Sequence, residues 1–241
     1  MPFTAFISDL HLTLARAEIN RIFFAFLEGP ARAADHLYIL GDLFEYWLGD
    51  DDLGDPLNAQ VASGLKALVT AGVPVSVMHG NRDVLLLKGF AQASGARLIA
   101  DPTVVDLYGT RTLLLHGDSL CTDDLQYQAF RKRARNFWWQ RAFLLQPLSM
   151  RRAQTERGRR KSERQKRINA AEIMDVTPAA VEQAFRDSGC IRMIHGHTHR
   201  PARHVHIVEG RTCERWVLSD WYQHGQYLRI GPDGCTSVDL T

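Results

Sequence analysis

Val73-Pro-Val-Ser-Val-Met-His-Gly-Asn-Arg-Asp83 runs without a break from apolar, β-branched residues into a polar cluster flanked by glycine. A short apolar run bounded by turn formers reads as a buried strand. Residues 73–78 are that strand, and Asn81 stands just past its carboxyl end. Residues 57–71 upstream fit a helix stopped by Gly72. A helix leading into a buried strand is the rhythm of an α/β sheet.

Working outward, the same pattern occurs four more times. Phe3-Thr-Ala-Phe-Ile-Ser8 is a strand ending at Asp9, with His11 two residues on. His36-Leu-Tyr-Ile-Leu40 ends at Gly41-Asp42. Thr112-Leu-Leu-Leu-His116 is followed by Gly117-Asp118, and Ile191-Arg-Met-Ile194 by His195-Gly-His-Thr-His199. Residues 16–28 fit a helix with Ile19, Ile22, Phe23, Phe26 and Leu27 on one face. Short strands alternate near 203–208, 214–219, 226–230 and 236–240. In α/β sheets, ligands gather where loops converge at the carboxyl ends of strands. Five polar clusters at strand ends can therefore meet in space.

The candidate metal ligands are Asp9, His11, Asp42, Asn81, His116, His197 and His199. Imidazole and carboxylate oxygen together suit borderline divalent cations such as Mn²⁺, Fe²⁺ or Zn²⁺. No cysteine stands near them, which disfavours a structural zinc site. In Asp9-x-His11, and in His197-x-His199 if the chain is extended there, alternate side chains point the same way and can reach one ion. A lone Asp or His at a strand end is more often a turn residue or a satisfied hydrogen-bonder than a ligand. Five clusters in this order do not fit that reading.

Charge is unevenly spread. Of the 29 Lys/Arg and 27 Asp/Glu in the chain, 14 and two respectively fall between Arg131 and Arg167. Residues 124–172 also break the strand–cluster rhythm. They read as a helical insertion, rich in arginine, with Phe130, Phe137, Trp138, Trp139, Phe143, Leu144, Leu145 and Leu148 interleaved. The aromatic residues fit either an acyl-binding groove or the packed face of an amphipathic hairpin. Cations this dense depart from an ordinary surface, which mixes signs. The four cysteines form no C-x-x-C pair, and nothing ahead of the first strand reads as a signal peptide, so reduced cytosolic thiols are expected. No apolar run approaches the ~20 residues that span a bilayer.

Asp9-Leu-His11, Gly41-Asp42, Gly80-Asn81-Arg-Asp83, His116 and Gly196-His-Thr-His199 resemble the five signatures of the calcineurin-like metallophosphoesterases. The resemblance implies a four-layer αββα sandwich, one domain over 1–241 with residues 124–172 as a helical cap, and two divalent cations, expected to be Mn²⁺. It implies that Asp9, His11, Asp42 and His199 hold one cation and Asp42, Asn81, His116 and His197 the other, with Asp42 as bridge. Many members carry His after Gly-Asn to protonate the leaving group. Here that residue is Arg82, which stays cationic and can clamp a phosphate instead. The implied catalytic residues are Asp42, Asn81, Arg82 and His116.

Gly41-Asp-Leu-Phe-Glu-Tyr-Trp47, Leu115-His-Gly-Asp-Ser-Leu-Cys-Thr-Asp-Asp124, Ile173-Met-Asp-Val176 and His195-Gly-His-Thr-His-Arg-Pro201 narrow the resemblance to the UDP-2,3-diacylglucosamine hydrolases of lipid A biosynthesis. These cleave a pyrophosphate to UMP and 2,3-diacylglucosamine 1-phosphate. That family implies Asp124, Ser162, Lys166 and Asn169 at the UDP and glucosamine end of the substrate, with Asn81, Arg82 and His197 near the phosphates. Relative to the family pattern, the residue types at Lys166 and Asn169 stand exchanged. Arg159 and Tyr127 are further candidates, and Trp47 either flanks an acyl chain or belongs to the core. The expected partners are the UDP-linked lipid and the anionic cytoplasmic face of the inner membrane, with no nucleic acid and no obligate protein partner. Two rival readings are a nuclease of the same fold, which would track a phosphate backbone with the basic block, and a metal-binding scaffold without activity.

Overall fold

The computed structural model describes residues 1–166 and 175–240, apart from the side chains of 159–166. In chain order the elements are β1 (Thr4–Ile7), α1 (Ala17–Glu28), β2 (His36–Ile39), α2 (Pro56–Thr70), β3 (Val75–Met78), α3 (Lys88–Ser94), β4 (Arg97–Ile99), β5 (Thr103–Leu107) and β6 (Thr110–Leu114). After them come α4 (Leu125–Ala134), α5 (Phe137–Leu144), α6 (Leu148–Lys166), α7 (Pro178–Ser188), β7 (Arg192–His195), β8 (Ala202–Val208), β9 (Arg211–Val217), β10 (Gly225–Gly231) and β11 (Gly234–Leu240).

Two sheets form, in the orders β11-β10-β1-β2-β3-β4 and β5-β6-β7-β9-β8. Strands β1 to β4 run parallel in the first, and β6, β7 and β9 in the second. Alternation along each strand sends side chains to opposite faces. Phe6, Leu40, Met78, Leu114, Ile194 and Leu228 fill the space between the sheets. Ala5, Ile7, Leu37, Ile39, Val75 and Val77 face the other way and bury the apolar stripes of α1 and α2. Leu113, Leu115 and Met193 pack on Val181 and Phe185 of α7. Three separate apolar layers therefore make four structural layers, helix, sheet, sheet and helix.

Helix α2 shows why its ends fall where they do. Pro56 occupies the first helical position, and the Asp55 carboxylate accepts from the amides of Leu57 at 3.0 Å and Asn58 at 3.4 Å. The chain then leaves the helix at Gly72, with φ +99°.

The sequence reading passed over α3, β4, β5 and α7. Strand β4 is three residues long, and β5 alternates half-buried and exposed positions, with Val104 exposed. Both lie on sheet edges, where no continuous apolar run marks a strand. The arginine-rich stretch enters α4 at Leu125 and continues through α5 to Lys166 of α6. Residues 167–172 of the expected insertion lie outside the described residues. Trp47 is a core residue, 2% exposed, between Phe44 and Phe90.

Candidate metal centre

The loops after β1, β2 and β3 of one sheet and after β6 and β7 of the other leave the same end of the sandwich. Parallel pairing persists beyond the strands proper. The Asp9 amide donates to Gly41 O at 3.1 Å, that of His11 to Asp42 O at 3.0 Å, and that of Gly196 to His116 O at 2.9 Å. All seven candidate ligands converge there.

One cluster groups Asp9, His11 and His199; a second groups Asp9, Asp42 and His116. His199 Nε2 lies 3.4 Å from Asp9 Oδ1, and His11 Nε2 lies 3.8 Å from Asp42 Oδ2. Asn81 Oδ1 sits 3.2 Å from His116 Nε2 and 3.1 Å from His197 Nδ1, so it draws the remaining ligands together.

The expectation that extended backbone aligns Asp9 with His11, and His197 with His199, is not met. Asp9, His11, Asp42, His197 and His199 all have left-handed backbone, with φ between 50° and 70°. Side chains with a Cβ avoid this region, and it gathers at functional sites where surrounding structure imposes it. Here the imposing structure is the pairing just described, together with carboxylates turned back onto main chain. Asp42 Oδ1 accepts from the Arg82 amide, and Asp9 Oδ2 from the His197 amide, both at 2.8 Å. Glycine makes room for the two carboxylates. A Cβ on Gly80 would meet Asp42 Oδ1 at 2.1 Å, and one on Gly196 would meet Asp9 Oδ2 at the same distance.

The donor set fits divalent cations. His116 Nδ1 donates to Leu40 O at 2.8 Å, which leaves Nε2 of the neutral ring with a lone pair. That lone pair faces the Asn81 carbonyl oxygen and Asp42 Oδ1, the latter at 3.9 Å. Acceptors that face one another need a proton or a cation between them. Among the described residues, both nitrogens of His11 are buried without a hydrogen-bond partner. Buried polar atoms left in this state are costly, and a metal ion relieves the cost.

The same crowding displaces the titrations. Burial, joined by the neighbouring Asp83 and Asp9 against the pull of His116, pushes Asp42 up to about 7. Burial alone would lower His116, but Asp42, Asp118 and Asp9 outweigh it and raise it to about 9. His199 also overcomes burial to reach about 9, through hydrogen bonds to Asp220 and Asp9. Burial depresses His11 and His197 to about 3. Burial also opposes ionisation of Asp9, yet the His199 hydrogen bond and three histidine charges hold it well below the usual carboxylate range.

Arg82 is half-buried, its guanidinium 5.7 Å from the Tyr46 ring centre, and its Nε has no hydrogen-bond partner among the described residues. Asp124 is the N-cap of α4 and accepts from the Tyr127 amide at 2.9 Å. Tyr127 comes closer to the centre, with its ring 5.7 Å from that of His197 and its hydroxyl donating to Asp118 Oδ2 at 2.7 Å. The side chains of Arg159, Ser162 and Lys166, and Asn169 as a whole, lie outside the described residues.

Several residues that support the centre escaped the sequence reading. His199 Nδ1 lies 3.1 Å from Asp220 Oδ2, and His11 Nδ1 lies 3.6 Å from Glu45 Oε2. Buried Asp83 accepts from the Gly80 amide at 2.7 Å and the Leu43 amide at 2.8 Å, which ties the loop after β3 to the loop after β2. Glu45 and Asp83 stand inside recognisable motifs, where a carboxylate beside ligands was the available signal. Asp220 lies beyond the last of the five clusters and carried no such signal.

Comparison with known proteins agrees with this geometry. Residues 4–201 match the family model described as calcineurin-like phosphoesterase. The chain is 52% identical to the UDP-2,3-diacylglucosamine hydrolase of Aromatoleum aromaticum, over 93% of this chain and 91% of that protein. It is 51% identical to that of Cellvibrio japonicus over 96% of each chain, and 50% identical to that of Xanthomonas oryzae pv. oryzae, also over 96% of each. Among solved structures, vacuolar protein sorting 29 from Cryptosporidium parvum shares the fold, with TM-score 0.51 at 13% identity over 100% of this chain and 92% of the other.

Proposed function

The chain belongs to the calcineurin-like phosphoesterases, and from that membership we propose that it hydrolyses the pyrophosphate of UDP-2,3-diacylglucosamine at a centre of two Mn²⁺ ions. The products are UMP and 2,3-diacylglucosamine 1-phosphate, an intermediate of lipid A biosynthesis. The observation that carries the reading is the meeting of Asp9, His11, Asp42, Asn81, His116, His197 and His199 in a chain about half identical, over its length, to hydrolases of that substrate. Asp9, His11, Asp42 and His199 would hold one cation, and Asp42, Asn81, His116 and His197 the other. Such a pair acidifies a water and screens charge on the phosphoryl oxygens.

The protein's own groups supply orientation and charge. Asp42 is fixed by the Arg82 amide, so its carboxylate holds one orientation between the two ligand groups. The Arg82 guanidinium, free at Nε, faces developing charge on a phosphate oxygen. It cannot act as an acid, and a phosphate leaving group has a pKa low enough to depart without one. Water attacks the α-phosphorus in line with the bridging oxygen, whose bond to that phosphorus breaks.

The insertion supplies the surface for the lipid. Phe137, Trp138, Leu145 and Met150 are exposed among its arginines. Aromatic and aliphatic residues mixed with cations suit acyl chains and an anionic bilayer, here the cytoplasmic face of the inner membrane. Among the described residues, no helix is long and apolar enough to cross a membrane. Incubation with UDP-2,3-diacylglucosamine and Mn²⁺ in ¹⁸O-water tests the proposal. UMP carrying the label is expected; label in the lipid phosphate would overturn the direction of attack, and no turnover would overturn the substrate.

A further inference from the structure

Among the described residues, ion pairs tie the helical insertion to the body at two places. At the first, Arg131 and Arg135 on α4 reach Asp101 and Asp118 beside the metal centre, with N–O separations of 2.9 to 3.5 Å. The second is remote from those residues. Arg151, in the first turn of α6, is 2% exposed although it belongs to the most basic stretch of the chain. Its guanidinium donates to Leu48 O and to both carboxylate oxygens of Asp51, and its Nε donates to Gln146 O at 3.0 Å. Next to it, Arg152 donates to Asp52 Oδ1 at 2.7 Å. A side chain on Gly49 would collide with this joint, since a Cβ there meets Arg151 Nη1 and Leu144 Cδ2, each at 2.6 Å. The main chain at Gly49 is thus shaped to receive the insertion.

The receiving loop also touches the phosphate-facing segment. The Trp47 amide donates to Arg82 O at 3.1 Å, and Trp47 Nε1 donates to Asp50 Oδ1 at 3.2 Å. The Asp50 carboxylate accepts in turn from the Leu87 amide at 3.1 Å and the Gly89 amide at 2.6 Å. Residues 47–52 therefore join three parts: the Arg82 segment, the start of α3, and the root of α6.

We propose that Arg151 and Arg152, clamped on Asp51 and Asp52, are positioning residues that set the insertion relative to Arg82 for a substrate gripped by both. This rests on the reading of the insertion as the surface that holds the lipid. Arginine suits the joint because its rigid fork of five donors meets all four acceptors at once, where a lysine has only three donors. The leverage is large. Residue 162 lies about 16 Å along the helix axis from Arg151, so a tilt of about 10° at the clamp moves it by about 3 Å. A small phosphodiester that needs only the metal centre is indifferent to such a tilt, whereas a substrate spanning centre and insertion is not.

The test compares two substrates in D51N/D52N and, separately, in R151M. Asp51 is largely exposed, and the buried Asp52 keeps its shape as asparagine, so the first variant spares the core. Expected is a rise of about tenfold in KM for UDP-2,3-diacylglucosamine, with hydrolysis of bis(p-nitrophenyl) phosphate and Mn²⁺ affinity within about twofold of the parent. Hydrogen exchange across residues 148–158 should quicken in both variants. An unchanged KM for the lipid, or an equal loss on both substrates, overturns the clamp. If the parent protein cleaves the small diester and ignores the UDP-lipid, the substrate reading falls instead. Hydrogen exchange then decides the clamp, and unchanged protection refutes it.

Discussion

Replacing Asp83 tests how the centre is held together, because this buried carboxylate binds no candidate ligand side chain and still joins two ligand-bearing loops. Its oxygens accept from the Gly80 amide at 2.7 Å and the Leu43 amide at 2.8 Å, and the residue is fully buried. In D83A both amides lose their acceptor where water does not reach. Each unsatisfied donor costs about 1–3 kcal/mol, so the loss is about 2–6 kcal/mol. That is a large part of the ~5–15 kcal/mol that holds a typical protein folded. D83N keeps one acceptor and turns an NH₂ toward the other amide, so its loss is about half as large. Equilibrium urea unfolding of chelator-treated protein, followed by circular dichroism with m-values compared, measures both. Mn²⁺ affinity should fall in the same order, since Asn81 and Asp42 flank the severed link. A D83A protein within about 0.5 kcal/mol of the parent would refute the account of how the loops are joined.

Other consequences can be checked independently. D42A and H116A should abolish phosphodiester hydrolysis while circular dichroism stays native; activity near that of the parent would remove the centre from the chemistry. D220A and E45A withdraw carboxylates from His199 and His11, and each should cost about 10–100-fold in Mn²⁺ affinity by calorimetry. In metal-free protein, His116 and His199 titrate at about 9 against about 6.5 unfolded. The folded state therefore binds the extra protons, and the stability they give is complete below about 6.5 and lost as pH rises through about 9. His11 and His197, depressed to about 3, are neutral throughout that window. The urea midpoint of chelator-treated protein should thus fall between pH 7 and 9, and Mn²⁺ binding at pH 7 should release protons; a flat profile without proton release would contradict the assigned charges. Removing Mn²⁺ held at 100 times its Kd should withdraw about 2.7 kcal/mol of stability, or several degrees of melting temperature.

What was legible in the sequence was local. Apolar runs such as Val73–Met78 marked the strands because a strand buried on both faces must be continuously apolar, and the polar cluster after each run marked its carboxyl end. These determined an α/β sheet and the seven candidate ligands, and the four-layer sandwich followed from the family that the clusters, in their order, resemble. Spacing could not determine how the ligands aim. Five of them point inward because long-range pairing holds their backbone left-handed, against the preference of any residue with a Cβ. Nor could it reveal partners far off in the chain. Asp220 meets His199 only because β9 returns beside β7, and Arg151 meets Asp51 across 100 residues. Periodicity records which face of an element is buried, whereas contacts between loops depend on how whole layers stack, and only the tertiary structure decides that.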